Sequence, residues 1–351
     1  MKIDNSKNKY GIYASDIRNL LEGCDYLILQ SQRKVGKSYA SKECVIEDCY
    51  NLKCEMMYVR RLKSEVKDID VVDYFCNMDI SKITKGEYSC INVYRKRIYF
   101  ANVDEKGKII NGRRLGYVKD LSTSSQMKSL EYPLVNYIIV EEFTTDELYL
   151  ADEPRKLDHL ISTVSRDRHI KVILIGNLIT PFNPYYESWD LSAIDLTPLN
   201  ETIDFHYDKV IIRAINLSRD MSDTFSMSFG LAKKSIDEFG YEVKPQPKCD
   251  IELSELDFTY RFFISVQSVK LECRLYNNSG NRFIYVKPKT TQLRDTDRVI
   301  TDKFSSNAKW TNGLYALTPK EQIVFDLIKQ NKVCFLNNLT GTFFFQALKN
   351  L

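Results

Sequence analysis

The chain has 351 residues, 44% of them hydrophobic and 28% charged: too long for one ordinary core, and composed like a soluble globular protein of two domains. No apolar run approaches the roughly 18 to 20 residues that span a bilayer, and the polar, lysine-bearing opening from Met1 to Tyr10 lacks the apolar core of a secretory signal. Nine scattered cysteines without a C-x-x-C pair, and only three histidines, argue against a zinc scaffold or a disulfide framework. Reduced, buried thiols are expected.

The net charge of +3 is unevenly spread. Between Arg95 and Lys119 lie eight Lys or Arg residues against Asp104 and Glu105, and from Leu231 onward 18 basic residues face 13 acidic ones. Such local excess suits either a polyanion or a solvated basic face.

In chain order, short apolar runs alternate with helical stretches, the pattern of an α/β domain around a mainly parallel sheet with helices on both faces. Tyr26–Gln30 reads as a buried strand, about Lys37 to Cys49 as a helix, and Met56–Arg60 as a second strand. Cys90–Tyr94, Arg97–Ala101 and Arg114–Val118 read as antiparallel strands, with Lys106-Gly107 and Asn111-Gly112 as turns. Tyr137–Val140 and Lys171–Ile175 are continuous apolar runs, as strands buried on both faces should be, joined by a helix near Leu157–Ser165. A loop-rich stretch punctuated by Pro181, Pro184 and Pro198 follows. Beyond it come a strand over Asp208–Ile215, a helix over Met221–Glu238 and a linker at Lys244–Lys248. The last hundred or so residues favour β structure, with Phe262–Leu275 and Arg282–Val286 flanking the turn Asn277–Gly280. Thr318 should cap a helix over Pro319–Gln330, and the chain ends in the apolar run Thr342–Leu348. The expected domains are 1–200, a connecting segment 201–248, and 249–351.

The sharpest local signal is Ser31-Gln32-Arg33-Lys34-Val35-Gly36-Lys37-Ser38, directly after a strand and before a helix. A loop in that position aims backbone N–H groups and a helix N-terminus at phosphate. Lys37 would reach the β- and γ-phosphates of ATP, Ser38 would hold Mg²⁺, and Gly36 permits close backbone approach. A basic solvent loop is the bland alternative, and it leaves the position after a buried strand unexplained. At the end of another buried strand stand Glu141, suited to the Mg²⁺ shell, and Glu142, suited to polarising the attacking water. Asn177, ending the strand Ile173–Asn177, either contacts the γ-phosphate and its water or is a turn residue. Arg166 and Arg168 are candidates for an arginine supplied to a neighbour's site, with surface pairing to Asp158 or Asp167 as the alternative. Gln30, Tyr10 and Tyr13 either lie near adenine or pack.

A phosphate loop that opens with serine and carries Arg33, a strand ending in tandem acids and a strand ending in Gly-Asn together resemble the ATPase domain of viral DNA-packaging motors. These are the terminase large subunits and the packaging ATPases of phi-29-like podophages. Ser122–Lys128 and the antiparallel strands before Tyr137 share in the likeness, which covers residues 20 to 185. Glu141 departs from the aspartate common in this family, though a glutamate still reaches a metal through water. The resemblance implies an ASCE-type P-loop NTPase, with Arg33 as a cis charge sensor, followed by a smaller β-rich α+β domain related to RNase H-like nucleases. In that second domain Phe262–Val269 offers Gln267 where a nuclease needs a carboxylate, and Asp295, Asp297 and Asp302 lack a fixing strand, so binding without cutting is expected.

The implied function is an ATP-hydrolysing ring that moves double-stranded DNA, whatever its sequence, into a preformed capsid. Arg95, Lys96, Arg97, Arg113, Arg114, Lys119 and Lys128 are the candidates for DNA-backbone contact. The implied partners are further copies of the chain in a pentamer, the capsid portal, and an RNA or protein adaptor, with no membrane. The expected location is host cytoplasm, docked transiently on the procapsid portal. The alternatives are a monomeric P-loop phosphotransferase, which would not need the tandem acids, a helicase or nuclease acting on free DNA, and a non-catalytic nucleotide-binding scaffold, which should have lost Glu142.

Overall fold

The computed structural model describes residues 11–123, 131–145, 149–177, 183–191, 199–218, 247, 253, 258–266, 269–278, 280–289, 291–294, 296–302, 310–312, 318–336 and 338–351. The chain divides into two compact units, one of Met1–Thr180 with Ala193–Tyr241, the other of Pro181–Ser192 with Glu242–Leu351.

The first unit is built on a nine-stranded sheet. Its elements are α1 (Ala14–Leu21), β1 (Tyr26–Ser31), α2 (Lys37–Leu52), β2 (Glu55–Arg60), a 3-10 turn (Lys63–Val66), α3 (Asp68–Phe75), α4 (Ile80–Ile83), β3 (Cys90–Tyr94), β4 (Arg97–Val103), β5 (Ile109–Asp120), β6 (Val135–Glu141), α5 (Glu153–Ser165), β7 (Lys171–Asn177), β8 (Thr202–Tyr207) and β9 (Val210–Leu217). The strand order is β3-β4-β5-β2-β6-β7-β1-β9-β8. From β5 to β9 every neighbour is parallel, while β3, β4 and β8 add antiparallel edges. Leu27, Ile28 and Leu29 of β1 and Val172 to Leu174 of β7 are completely buried, which explains why these strands read as unbroken apolar runs. Ile17 and Leu20 of α1, and Cys44, Val45 and Cys49 of α2, pack into one core with Leu27, Leu29, Ile173 and Ile175. Helix α5 lies against β6 and buries Leu157, Leu160, Ile161 and Val164.

Three expectations change here. Asn111-Gly112 is not a turn, because β5 runs unbroken from Ile109 to Asp120. The glycine serves packing instead, since a Cβ at Gly112 would lie 2.3 Å from the Tyr88 ring. The actual hairpin turn holds Lys106-Gly107, with Gly107 at φ 77°. Asp208, read as strand, is at φ 46° in the turn between β8 and β9. Residues 202–217 do not form part of a separate connecting segment, because β9 pairs in parallel with β1, Tyr26 to Ser31 against Ile212 to Leu217. The expected helix Met221–Glu238 and most of the expected linker Lys244–Lys248 lie outside the described residues.

The second unit contains α6 (Pro184–Ser188) and a six-stranded sheet of order β14-β13-β10-β11-β12-β15. Its strands are β10 (Phe258–Val266), β11 (Val269–Asn278), β12 (Asn281–Pro288), β13 (Arg298–Thr301), β14 (Trp310–Asn312) and β15 (Val333–Phe335). Phe262–Leu275, one run in the sequence, is therefore two antiparallel strands. β10, β11 and β12 form a meander, and β13 and β14 then continue parallel to β10. Helices α7 (Pro319–Lys329) and α8 (Asn338–Asn350) complete the unit. Thr318 caps α7 by accepting from the Glu321 N–H, while Glu321 accepts from the Thr318 N–H at 2.6 Å. Val324, Leu327 and Phe344 join Phe262, Ile264, Cys273, Ile284 and Val286 in its core.

Candidate functional site

Three neighbouring parallel strands, β1, β7 and β6, bring their carboxyl ends together. The edge outside such ends is where open α/β sheets bind ligands. After β1 the backbone runs from Ser31 through the loop into α2, with Gly36 at φ 89° immediately before Lys37. Side chains rarely adopt that angle, so the glycine lets the first N–H groups of α2 face the loop. Val35 is buried, Arg33 and Lys34 are exposed, and Ser31 is fully buried.

Lys37 bridges the loop to β7. Its Nζ donates to Asn177 Oδ1 at 2.8 Å and to the Gln32 carbonyl at 3.4 Å. Burial pushes its pKa down to about 8, against the opposing pull of Glu141. Asn177 thus touches the loop lysine, and its carbonyl accepts from Thr144 Oγ1 at 2.8 Å. That latch needs Gly176, where a Cβ would fall 2.3 Å from Thr144 Oγ1.

Glu141 ends β6 buried, accepting from the Tyr74 hydroxyl and with the Ser38 hydroxyl close beside it. Burial raises its pKa, while those two hydroxyls, Lys37 and Arg60 pull the other way. A serine hydroxyl and a carboxylate side by side at a helix N-terminus are the hard oxygen donors that suit Mg²⁺, which takes few ligands from protein. Glu142 stands apart from this pair: it is 56% exposed at φ 53° and accepts from Arg60 Nη2 at 2.8 Å. A left-handed glutamate is uncommon, and such strained residues cluster at functional sites. Arg60, at the end of β2, also pairs with Glu65 at 2.6 Å.

Behind the acids, Arg61 is buried with Glu153 at 2.8 Å and donates to the Phe143 carbonyl at 3.0 Å, fixing the turn that follows β6. Lys42, Tyr74, Arg60, Arg61 and Thr144 escaped the sequence reading because each meets the site through long-range contact rather than motif spacing. The arginine ending the strand Met56–Arg60 was the one available hint.

The remaining candidates divide. Arg168 donates to the carbonyls of Tyr132 at 3.0 Å and Val164 at 2.9 Å, bonds within its own chain that weigh against its reading as an arginine for a neighbour's site. Arg166, at φ 39° after α5, is partly exposed and pairs with Glu131. Arg113 donates to the carbonyls of Cys49 and Tyr50 at the end of α2, a position that suits a cation, and Arg114 bonds Glu55 at 2.8 Å. Lys119 is partly buried over the Tyr132 ring. All three are partly buried and engaged within their own chain, which weighs against their reading as backbone contacts. Arg95 and Arg97 are exposed at the β3–β4 turn, and Lys96 lies 3.8 Å from Asp68. Gln30 is buried within β1 and Tyr13 is exposed, while Tyr10, Lys128, Gln267 and Asp295 lie outside the described residues.

In the second unit the buried carboxylates meet arginines. Asp297 pairs with Arg261 Nε at 3.0 Å, and Glu272 with Arg274 at 2.6 Å. Asp302 accepts from Thr301 Oγ1 at 3.5 Å.

The profile of the family described as podovirus DNA encapsidation protein (Gp16) matches residues 23–234, more than half of the chain. The DNA packaging protein of Bacillus phage B103 is 30% identical over 200 residues, covering 54% of this chain and 54% of that protein. The DNA packaging protein of Bacillus phage phi29 is 29% identical over 168 residues, covering 45% of this chain and 44% of that protein. The chain thus spans about half the length of the curated relatives it matches. A chain of the solved bacteriophage Phi-29 viral genome packaging motor assembly shares the fold, with a TM-score of 0.58 and 21% identity over 95% of this chain and 98% of that one.

Proposed function

Because the chain belongs to the podovirus DNA encapsidation protein (Gp16) family, we propose that it hydrolyses ATP to drive double-stranded DNA into a preformed capsid. The observation that carries this reading is the joining of three strand ends: Lys37 of the loop bonds Asn177 of β7, and Ser38, next on the same helix, stands beside Glu141 of β6. The loop N–H groups and Lys37 would hold the β- and γ-phosphates, and Arg33 stands on the same loop as a charge sensor. Ser38 and Glu141 would hold Mg²⁺, which when bound offsets phosphate charge. Glu142, freed from Arg60, would accept a hydrogen bond from the attacking water, and Asn177 would report the γ-phosphate to Lys37.

Arg166 is the remaining candidate for a neighbour's site, which implies head-to-tail contacts in a ring, a pentamer by family resemblance. Arg95, Lys96 and Arg97 on the β3–β4 turn are the backbone-contact candidates. The second unit, whose buried carboxylates among the described residues, Glu272, Asp297 and Glu321, are paired to arginines, is suited to binding nucleic acid or the portal rather than cutting. Its meander followed by two parallel strands supports descent from an RNase H-like sheet. The motor would work in host cytoplasm on the procapsid portal, with an RNA or protein adaptor.

The test is the specific ATPase rate of the chain against its own concentration, with and without long double-stranded DNA of unrelated sequences. A rate that climbs with concentration and is stimulated by every DNA supports shared sites in a DNA motor. A flat, DNA-indifferent rate rejects it.

A further inference from the structure

The acid Glu141 is held by an aromatic hydroxyl. Tyr74 of α3 donates its hydroxyl to Glu141 Oε1, while Ser38 of α2 stands beside the same carboxylate. Tyr74 is not a chance neighbour. Its ring lies 4.6 Å from Tyr58 and 5.0 Å from Phe75, centroid to centroid. Lys42 Nζ sits 4.1 Å from the centre of the same ring, and it donates to the Tyr74 carbonyl and, at 3.0 Å, to Asn77 Oδ1. The far end of α3 is also fixed, because Asp68 accepts from the Arg95 N–H at 2.8 Å and the Lys96 N–H at 3.3 Å. A hydroxyl on a short helix anchored at both ends, with its ring packed between Tyr58 and Phe75 and its carbonyl bonded, has little freedom to leave the carboxylate.

We propose that Tyr74 is a positioning residue for the metal-supporting acid: it occupies one lone-pair direction of Glu141 and so aims the rest of the carboxylate toward Ser38 and the phosphate loop. Outer partners of this kind orient a metal-supporting group without touching the metal, and removing one typically costs about 10- to 100-fold in metal affinity or activity. Lys42 acts one layer further out, by fixing the Tyr74 backbone and ring. The inference rests on the reading of this site as one for ATP and Mg²⁺.

The experiment uses the full chain, a fluorescent ADP analogue and Tyr74→Phe, which deletes the hydroxyl and keeps the packed ring. Affinity for the analogue is measured in EDTA and then across a Mg²⁺ titration, and the Mg²⁺ dependence of steady-state ATP hydrolysis is followed in parallel. In EDTA the variant should match the parent within about twofold. Its half-saturating Mg²⁺ should rise on the order of tenfold in both assays, with a smaller change in the rate at saturating Mg²⁺. An unchanged Mg²⁺ half-saturation overturns the proposal. So does a loss already present in EDTA, which would mean that Tyr74 merely supports the fold. If the parent chain binds the analogue no better with Mg²⁺ than without it, the nucleotide–metal reading of the site fails, and the role of Tyr74 falls with it.

Discussion

Five positions beyond Lys37 on the same helix, Lys42 is buried with its ammonium on a carbonyl, an amide oxygen and an aromatic face. Burial lowers its pKa to about 8 from the ordinary 10.5. Between those values the unfolded chain binds a proton that the folded chain has released, so stability rises with pH across that window. The contribution is complete above the unfolded value and is lost as pH falls through about 8. Urea unfolding of the parent and of Lys42→Met, compared from pH 7.5 to 10.5, should show the parent gaining about 2 to 3 kcal/mol relative to the variant. Parallel curves would assign Lys42 an ordinary titration. At this scale the sequence was informative wherever chemistry is consecutive. Ser31 to Ser38, and Glu141 beside Glu142, could be found because each sits on one short stretch after an apolar strand. Lys42 and Tyr74 could not, since a lysine and a tyrosine on amphipathic helices look the same whether they face solvent or a carboxylate.

Among the elements, the segment after β6 decides where the acids point. The ion pair of Arg61 with Glu153 lies almost wholly inside the protein and joins the end of β2 to the start of α5 across that turn. Removing one member of a buried pair leaves an uncompensated charge, which typically costs about 3 to 5 kcal/mol. Glu153→Ala should lose that much in denaturant unfolding, and a loss below about 1 kcal/mol would mean that water already reaches Arg61. The parallel strands were legible because burial on both faces leaves continuous apolar runs. The edges were less so. β8, with its partly exposed and polar residues, carries no such run, and Gly112 mimics a turn while making room for Tyr88. Strand pairing over long sequence distance, such as β9 beside β1, leaves no local trace at all.

For the whole molecule, the charge that the sequence concentrates between Arg95 and Lys119 is partly spent inside. Arg113 and Arg114 are partly buried against the end of α2 and Glu55, so within this stretch the β3–β4 turn and the Lys106–Lys108 hairpin are the most exposed basic features. Replacing Arg95, Lys96 and Arg97 together by alanine should weaken binding to duplexes of every sequence alike. It should also flatten the slope of log affinity against log salt by up to about 3, near one unit for each phosphate that is no longer neutralised. An unchanged slope would place the DNA elsewhere.

The central claim is that the edge formed by β1, β6 and β7 binds ATP through Lys37 and hydrolyses it through Glu142. Single-turnover hydrolysis, measured beside equilibrium nucleotide binding for Lys37→Ala and Glu142→Gln, separates the two roles. The account predicts that Lys37→Ala loses binding, whereas Glu142→Gln still binds and slows hydrolysis by about 10²- to 10⁴-fold. Glu142→Gln turning over ATP at the parent rate would contradict it.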